Sequence, residues 1–372
     1  MNLFNFNNEN EYFRGDKLRI ARMAKMLSME ELATRIGKTR QFICKLEKGY
    51  EPSQEVLESL CGALDITKRF LYSERDSHIE TEKCHFRSLK TRTKTVTLSV
   101  KYRVEILSSV IKKLEQEVEL PEIDLPDVSG FDLSSFSDIE RLSESVRDYW
   151  DIGLGPISNI AELLENLGII ITSTKGSDGK VDAFSVPNAR PLIILDNTHA
   201  SSCRNRFTLA HELGHLLFHD EVITGDSQTE SQADYFASSF LLPRASFINE
   251  FPCSGAGRFD WDAMVEFKKR WKVSLKAIVY RASSLGLISQ AKAKTAYVHL
   301  NTKGYVYTEL GDEFLSDETS SVLSQMVNLI ELSTWREILS TQGISEKLFY
   351  NLYSIKHDHS TLYGKPSLRL VN

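Results

Sequence analysis

The chain has 372 residues, 41% of them hydrophobic, so it is long enough for two or three domains and apolar enough to bury a sizeable core. Its formal net charge of -6 excludes a protein that coats nucleic acid over its whole surface, so any DNA contact must come from a local basic surface. The amino terminus lacks a signal-peptide pattern and no apolar run is long enough to cross a bilayer, so we expect a cytoplasmic protein with no membrane contact.

The first predicted elements are short helices in the segment 10–75. Apolar residues recur at helical spacing in short blocks from residue 18 to 46. Ser28 starts a capping-box pattern, Ser-Met-Glu-Glu, and Gly37 followed by Thr39 predicts a turn and a second helix cap. Two short helices joined in this way are typical of a helix-turn-helix.

The stretch 30–49 closely resembles the lambda-repressor-like, or XRE-type, DNA-binding domain. In that family the helix starting near Thr39 enters the major groove, so the resemblance implies groove contacts with double-stranded DNA. Arg can bind guanine and Gln adenine through two hydrogen bonds each, while Lys can neutralise phosphate. The alternative is a helical module that binds protein instead of DNA. The candidate DNA-binding residues are Lys38, Thr39, Arg40, Gln41 and Lys45.

We predict a basic connector and a linker helix in the segment 76–135. Residues 83–103 contain Lys and Arg but no acidic residue, so this part either follows DNA phosphates or is a solvated linker. Residues 104–118 show the apolar spacing of an amphipathic helix. The acidic, proline-containing stretch that follows predicts a loop leading into the next domain.

The segment 136–290 is predicted to be an α+β domain. Its apolar periodicity predicts helices before and after a group of β-branched runs. These runs predict three short strands, at residues 169–172, 181–186 and 192–195.

A His-Glu-x-x-His motif lies on the helix-forming run after these strands. His211 and His215 are one helical turn apart, so both imidazoles project from one face and can bind one tetrahedral zinc ion. Glu212 lies beside them, where a carboxylate can take a proton from water and pass it to a leaving amine. The apolar residues around the motif indicate a helix packed in a core.

The next helix is expected to supply a third ligand. Glu230 and Asp234 are one turn apart at its start, and we assign Glu230 to zinc, which leaves the fourth position open for water. Asp234 is expected to hold the outer nitrogen of a ligating His. The alternative is that both carboxylates only complement the helix dipole. His219 lies two turns from His211, too far to share one ion, and we interpret it as substrate-facing or structural.

Two sequence blocks together resemble the ImmA/IrrE family of metallopeptidases. Residues 204–219 read Arg-x-Arg-Phe-Thr-Leu-Ala-His-Glu-Leu-Gly-His-Leu-Leu-Phe-His, and residues 230–243 read Glu-x-x-Ala-Asp-x-Phe-Ala-x-x-Phe-Leu-Leu-Pro. The resemblance to members with an amino-terminal helix-turn-helix extends over residues 12–290. It implies a zincin-like fold with a small sheet beside the metal helix, one zinc ion per chain, and cleavage of an XRE-type repressor in a stress or mobile-element response.

The segment 291–372 has no motif that indicates a role. Residues 295–309 predict a hairpin with Gly304 near its turn, and residues 320–353 predict helix. The whole chain is therefore predicted to be α+β, with an all-α helix-turn-helix domain, a zincin-like peptidase domain and a mainly helical carboxy-terminal region.

Three functions are compatible with these features. The first is a DNA-binding regulator fused to a zinc endopeptidase, which cleaves a companion XRE-type repressor or its own amino-terminal region. The second is a non-proteolytic zinc- or ligand-sensing transcription factor, although metal binding alone would not require Glu212. The third is an antitoxin-like or defence-associated regulator. A homodimer is compatible with the sequence, but no motif specifies one.

Overall fold

The computed structural model describes residues 12–75, 85–86, 94–174, 183–196, 201–219, 222, 224–252, 259–305, 308–358 and 368–371. The chain divides into two compact units, each built from segments that are distant in sequence. No helix in these described ranges is long and apolar enough to span a membrane. Unit 1 contains residues 1–81, 92–120 and 324–372, and unit 2 contains residues 82–91 and 121–323.

Unit 1 begins with the predicted helix-turn-helix. The Ser28 hydroxyl accepts from the Glu31 backbone N–H at 3.1 Å, and the Glu31 carboxylate accepts from the Ser28 N–H at 2.7 Å. Gly37 adopts a φ of 65°, which a left-handed turn requires, and the Thr39 hydroxyl then caps the next helix. The all-α prediction for this region is confirmed. Its helices are α1 (Gly15–Ala24), α2 (Met29–Arg35), α3 (Arg40–Leu46), α4 (Gln54–Leu64) and α5 (Lys68–Tyr72).

The linker helix of unit 1 is α6 (Lys94–Leu114), which begins earlier than the predicted residue 104. Lys101 and Arg103 lie on it and are buried, and the Arg103 guanidinium donates to the carbonyl of Ala24 at 2.8 Å. These two cations therefore pack inside unit 1, which does not fit the prediction that they follow phosphates or lie in a solvated linker. The other basic residues of the connector lie outside the described residues or have undescribed side chains.

The carboxy-terminal segment completes unit 1. The Tyr353 hydroxyl donates to the carbonyl of Arg103 at 2.6 Å, and Thr67 N–H donates to the carbonyl of Gly343 at 2.9 Å. Its described elements are α16 (Leu332–Thr341), α17 (Glu346–Tyr353) and β6 (Arg369–Leu370), which pairs antiparallel with β2 (Val118–Glu119).

Unit 2 contains a four-stranded sheet. Its strands are β1 (His85–Phe86), β3 (Ile170–Thr174), β4 (Ala183–Val186) and β5 (Leu192–Asp196), and their order across the sheet is β1-β4-β5-β3. β3 and β5 are parallel, whereas β4 is antiparallel to both β5 and β1. The three predicted strands are present, although residues 181–182 lie outside the described residues. The fourth strand was not predicted, because it spans two residues within the basic connector.

Helices form the rest of unit 2, and one of them replaces the hairpin predicted at 295–309. Ser289 caps this helix by accepting from Lys292 N–H at 3.3 Å, and the Ala- and Lys-containing run after it favours helix. The helices are α7 (Phe136–Tyr149), α8 (Ile160–Asn166), α9 (Ser202–Phe218), α10 (Ser227–Leu241), α11 (Arg244–Glu250), α12 (Trp261–Trp271), α13 (Leu275–Ser284), α14 (Gln290–Thr302) and α15 (Val322–Leu329), the last of which continues into residues assigned to unit 1.

The core of unit 2 brings α9 and α10 close together. Leu209 and Leu213 of α9 and Phe236 and Phe240 of α10 are almost completely buried. Gly214 lies at the contact, where an added Cβ would lie 3.0 Å from the Phe236 ring and would force that ring to shift. The close approach of the two helices places the first turn of α10 beside the His-Glu-x-x-His face of α9.

Candidate metal centre

Two capped helix starts position the candidate ligands. Ser201 caps α9 by accepting from Arg204 N–H at 3.4 Å. Asp226 caps α10 by accepting from Gln228 and Thr229 N–H at 2.7 and 3.1 Å. These backbone hydrogen bonds lower the pKa of Asp226 below its ordinary value, so the cap is a carboxylate at neutral pH. Glu230 follows in the first turn of α10.

His211, His215 and Glu230 converge on one point. The Nε2 atoms of His211 and His215 are 3.1 Å apart, and they lie 3.7 and 3.6 Å from the two Glu230 carboxylate oxygens. All three ligand atoms lie within 4.8 Å of one another. Both histidines are completely buried, whereas the Glu230 side chain retains 20% of its exposure. The structure therefore brings together the three residues predicted as ligands.

The donor set fits zinc in chemistry and in size. Two imidazole nitrogens and one carboxylate are typical of a catalytic zinc site with one remaining position. Nitrogen and oxygen ligands of one tetrahedral zinc ion, bound at about 2.0 to 2.2 Å, lie about 3.3 to 3.6 Å apart. The observed separations of 3.1 to 3.7 Å lie within about 0.2 Å of this range, so small side-chain adjustments would accommodate the ion.

Asp234 lies where the sequence predicted it. Its carboxylate oxygen Oδ1 is 2.8 Å from Nδ1 of His211. If Nε2 of His211 binds a metal, it must keep its lone pair. The proton of the neutral ring is then at Nδ1, which donates a hydrogen bond to Asp234. This hydrogen bond fixes the ring orientation and makes Nε2 a better donor of electrons to a metal.

His215 has a different partner for its outer nitrogen. Its Nδ1 lies 2.9 Å from Nδ1 of His219, and Nε2 of His219 lies 3.0 Å from the Gln232 side-chain oxygen. The Gln232 amide donates in turn to the carbonyl of Leu133 at 2.9 Å. If His215 offers Nε2 to a metal, the donor of each hydrogen bond in this series is fixed. His215 then donates to His219, His219 to Gln232, and Gln232 to the backbone.

This series of hydrogen bonds requires a neutral His219, because a doubly protonated ring could not accept a hydrogen bond from His215. Burial lowers the pKa of His219 below its ordinary value, although the Gln232 hydrogen bond acts in the opposite direction. His219 is 2% exposed and forms the C-cap of α9. Of the two predicted interpretations, this environment supports the structural one.

Glu212 is held by a strand residue that the sequence did not indicate. The Ser185 hydroxyl on β4 donates to Oε2 of Glu212 at 2.7 Å, and both side chains are completely buried. Ser185 is separated from Glu212 by 27 positions, and the only available signal was its place in an apolar strand beside the motif helix. Gln232 was missed for a similar reason, since a Gln at the start of a helix has no distinctive spacing.

The candidate DNA-binding residues lie on one exposed part of unit 1. Lys38, Thr39, Arg40, Gln41 and Lys45 are all exposed, on α3 or just before it. The Thr39 hydroxyl is used as the helix cap, accepting from Phe42 N–H at 3.3 Å. Nothing among the described residues forms an ion pair or a hydrogen bond with the charged ends of Lys38, Arg40 or Lys45, which leaves them available for phosphate or base edges.

Comparison with known families gives two matches. Residues 164–283 match a peptidase family described as the IrrE N-terminal-like domain, and residues 18–71 match the family described as helix-turn-helix. The first range includes α9, α10 and β4, and the second includes α3. No individual curated protein matches the chain significantly.

Proposed function

Because the chain carries an XRE-type helix-turn-helix domain and an IrrE N-terminal-like metallopeptidase domain, we propose that it is a transcriptional regulator with a zinc-dependent endopeptidase activity. Its proposed substrate is a protein of the XRE-type repressor class, in a stress or mobile-element response. The proposed zinc ligands are His211, His215 and Glu230, and the proposed general base is Glu212.

The observation that carries this proposal is the position of Glu212 within the candidate metal centre. Glu212 precedes Leu213 on the turn between the two histidines, and Ser185 fixes one of its carboxylate oxygens at 2.7 Å. A site that only binds or senses metal needs its three ligands, but it does not need a further carboxylate that is anchored separately. The Ser185–Glu212 contact therefore favours hydrolysis over sensing.

The proposed chemistry assigns one role to each group. His211, His215 and Glu230 would hold a zinc ion, which would act as a Lewis acid on the substrate carbonyl and lower the pKa of an attacking water molecule. Glu212 takes a proton from that water on its carboxylate and returns it to the leaving amine. Asp234 and His219 keep the two imidazoles in the tautomers that present Nε2. Ser185 prevents the Glu212 side chain from rotating away.

The helix-turn-helix is proposed to bind double-stranded DNA through α3. Arg40 and Gln41 are exposed at its amino-terminal end, the part of a recognition helix that contacts base edges. Lys38 and Lys45 are also exposed, and we propose that they contact phosphate. A peptidase tethered to such a domain would be concentrated at operators that XRE-type repressors occupy, which motivates the proposed substrate class.

Co-expression with XRE-type repressors from the same genome, followed by intact-mass analysis of fragments, tests this function. We expect wild type and the control Glu162→Gln, an exposed carboxylate on α8, to give the same fragments, and Glu212→Gln to give none. All three proteins should bind equal zinc. Cleavage by Glu212→Gln would contradict the assigned base. Zinc binding by wild type without cleavage of any repressor or unfolded protein would support the sensor instead.

A further inference from the structure

The sheet of unit 2 includes a strand from outside the matched peptidase range. β1 pairs antiparallel with β4, so that His85 lies opposite Ser185 and Phe86 lies opposite Phe184. On its other side β4 pairs with β5. Among the described strands, β1 therefore covers the outer edge of β4.

The edge of β4 is also the edge nearest the proposed base. Ser185 of β4 contacts Glu212 directly, whereas β3, at the opposite edge of the sheet, is separated from β4 by β5. A protein segment that binds in extended form as an added strand needs a free sheet edge for its main-chain hydrogen bonds. A substrate strand that lies directly beside Ser185 would therefore have to pair with β4, in the place that β1 occupies.

The proposed general base and the two histidine ligands are buried in this arrangement. His211, Glu212 and His215 all have 0% exposure. Peptide hydrolysis requires that both a water molecule and a peptide bond reach Glu212. Glu212 is therefore buried in the described conformation, although the Glu230 side chain keeps 20% of its exposure. The strand beside Ser185 is the element whose departure would free the β4 edge.

We propose that the His85–Phe86 strand is an internal pseudosubstrate, which occupies the β4 edge that an extended protein substrate must pair with. This inference rests on the proposed peptidase function. A substrate is bound only when β1 is displaced, so the chain restrains its own peptidase. The occupant of the edge in the restrained state is a segment of the same chain, and in the active state it is an extended segment of the substrate.

The lengths of the two ladders make this exchange feasible. β4 pairs with β5 over four residues but with β1 over two. A substrate strand that pairs with all four residues of β4 would form more main-chain hydrogen bonds than β1 does. The chain on both sides of the segment 82–91 belongs to unit 1, which contains the helix-turn-helix. The polypeptide therefore joins β1 on both sides to the unit that contains the helix-turn-helix.

The exchange can be measured as binding, without catalysis. The full-length Glu212→Gln protein, loaded with zinc, is titrated against a fluorescent peptide with the sequence of residues 82–91 and Ser in place of Cys84. His85→Pro and Phe86→Pro each remove one N–H, and neighbouring N–H groups of a strand point to opposite edges, so one substitution breaks the ladder with β4. His85→Ala and Phe86→Ala keep both N–H groups and are the matched controls.

We expect one proline variant to bind the peptide at least about tenfold more tightly than its alanine control. Absence of tighter binding in both proline variants, with zinc content and thermal unfolding retained, would overturn the pseudosubstrate role. Because Glu212→Gln cannot cleave, this result is independent of whether wild type is a peptidase. A proline variant that retains Glu212 and binds the peptide, but cleaves no protein, would refute the proposed function instead.

A reversible disulfide between β1 and β4 provides a second test if the proline variants do not fold. Phe86→Cys with Phe184→Cys places two thiols at directly opposite positions of the ladder, where a disulfide can hold β1 on β4. We expect the reduced double variant, in the Glu212→Gln background, to bind the peptide and the oxidised one not to bind it. Equal peptide binding by the reduced and oxidised forms, including no binding by either form, would overturn the proposal.

Discussion

At the scale of single residues, the two histidines of α9 depend on partners with different chemistry. Nδ1 of His211 lies 2.8 Å from a carboxylate oxygen of Asp234, whereas Nδ1 of His215 lies 2.9 Å from an imidazole nitrogen of His219, which is itself buried. Partners of this kind fix the tautomer of a ligand and raise its basicity, and their loss typically lowers metal affinity by about 10- to 100-fold. Both outer residues are therefore expected to affect zinc binding without contacting the ion.

Substitution of these partners should weaken zinc binding. We expect Asp234→Ala and His219→Ala each to lower zinc affinity by about 10- to 100-fold in a chelator competition, because the ligating ring loses its orientation. His299→Ala is the matched control, since His299 stacks on Trp261 away from the site. Unchanged zinc affinity in both site variants would show that the hydrogen bonds of the outer nitrogens do not position the ligands.

The sequence predicts the ligands better than their supports. His211 and His215 are one helical turn apart, so local spacing places these two groups in reach of one ion. Glu230 was assigned from its place at the start of the next helix, and its approach to the histidines depends on the packing of α10 against α9. Ser185 could not be found in this way, because its contact with Glu212 joins a strand to a helix. His219 was placed on the correct helix, but its hydrogen bond to Gln232 depends on the packing of α10.

At the scale of secondary-structure elements, α3 is the part of unit 1 that is suited to DNA. Replacing Arg40 and Gln41 together with Ala should remove base contacts and lower the affinity for a specific operator by about 1–3 kcal/mol per lost pair. Zinc content should not change. Arg69→Ala removes an equally exposed charge from α5 and is the control. Identical footprints for the double variant and the control would remove α3 as the reading helix.

The start of α15 depends on a buried carboxylate. Glu165 accepts from the N–H groups of Ser321 and Val322 at 3.0 to 3.1 Å, yet burial raises its pKa from 4.5 to about 7. A carboxyl group with a raised folded-state pKa retains its proton between these values only when folded. Its contribution to stability is therefore full below pH 4.5 and falls as the pH rises toward about 7.

This raised pKa predicts a pH dependence that a neutral analogue removes. Between pH 5 and 8, wild type should lose more unfolding free energy than Glu165→Gln, by as much as about 3 kcal/mol. Chemical denaturation at both pH values measures the difference, and the variant controls for groups that titrate elsewhere. An equal change in the two proteins, or a larger loss in the variant, would contradict the buried-carboxyl interpretation.

Element type was predicted best where a cap or a long periodic run was present. The Ser28 and Thr39 caps marked the helix-turn-helix, and both side chains make the expected hydrogen bonds. The prediction at 295–309 was wrong, because it began after the Ser289 cap and treated the second half of a helix as a strand. β1 was missed because two residues cannot establish an alternating pattern, and its pairing depends on an edge formed by distant strands.

At the scale of the whole molecule, the carboxy-terminal segment belongs to the same compact unit as the helix-turn-helix. Ile344 forms a bridge with Ile66, and Gly343 approaches the backbone of Phe70 so closely that an added Cβ would lie 2.3 Å from its N atom. No local signal in the sequence could indicate this, since the contacting residues are more than 250 positions apart. The segment had been predicted only as helical and without a role.

Gly343→Ala should destabilise unit 1 and leave the metal centre unchanged. Gly343 has a φ of 69° and no room for a methyl group, so the variant combines backbone strain with an overlap. Gly37→Ala has nearly the same strain, at a φ of 65°, but nothing lies within 4 Å of the added Cβ. We expect Gly343→Ala to lose at least about 2 kcal/mol more than Gly37→Ala in denaturant unfolding, with equal zinc content. Equal losses of unfolding free energy in the two variants would show that the chain around residue 343 accommodates the methyl group without further destabilisation.

The most direct test is zinc stoichiometry by native mass spectrometry, combined with fragment analysis, on wild type, His211→Ala, Glu230→Ala and Glu212→Gln. The account predicts one zinc ion in wild type and Glu212→Gln, little or none in the two ligand variants, and cleavage by wild type alone. Full zinc occupancy in His211→Ala and Glu230→Ala, or cleavage by Glu212→Gln, would contradict it.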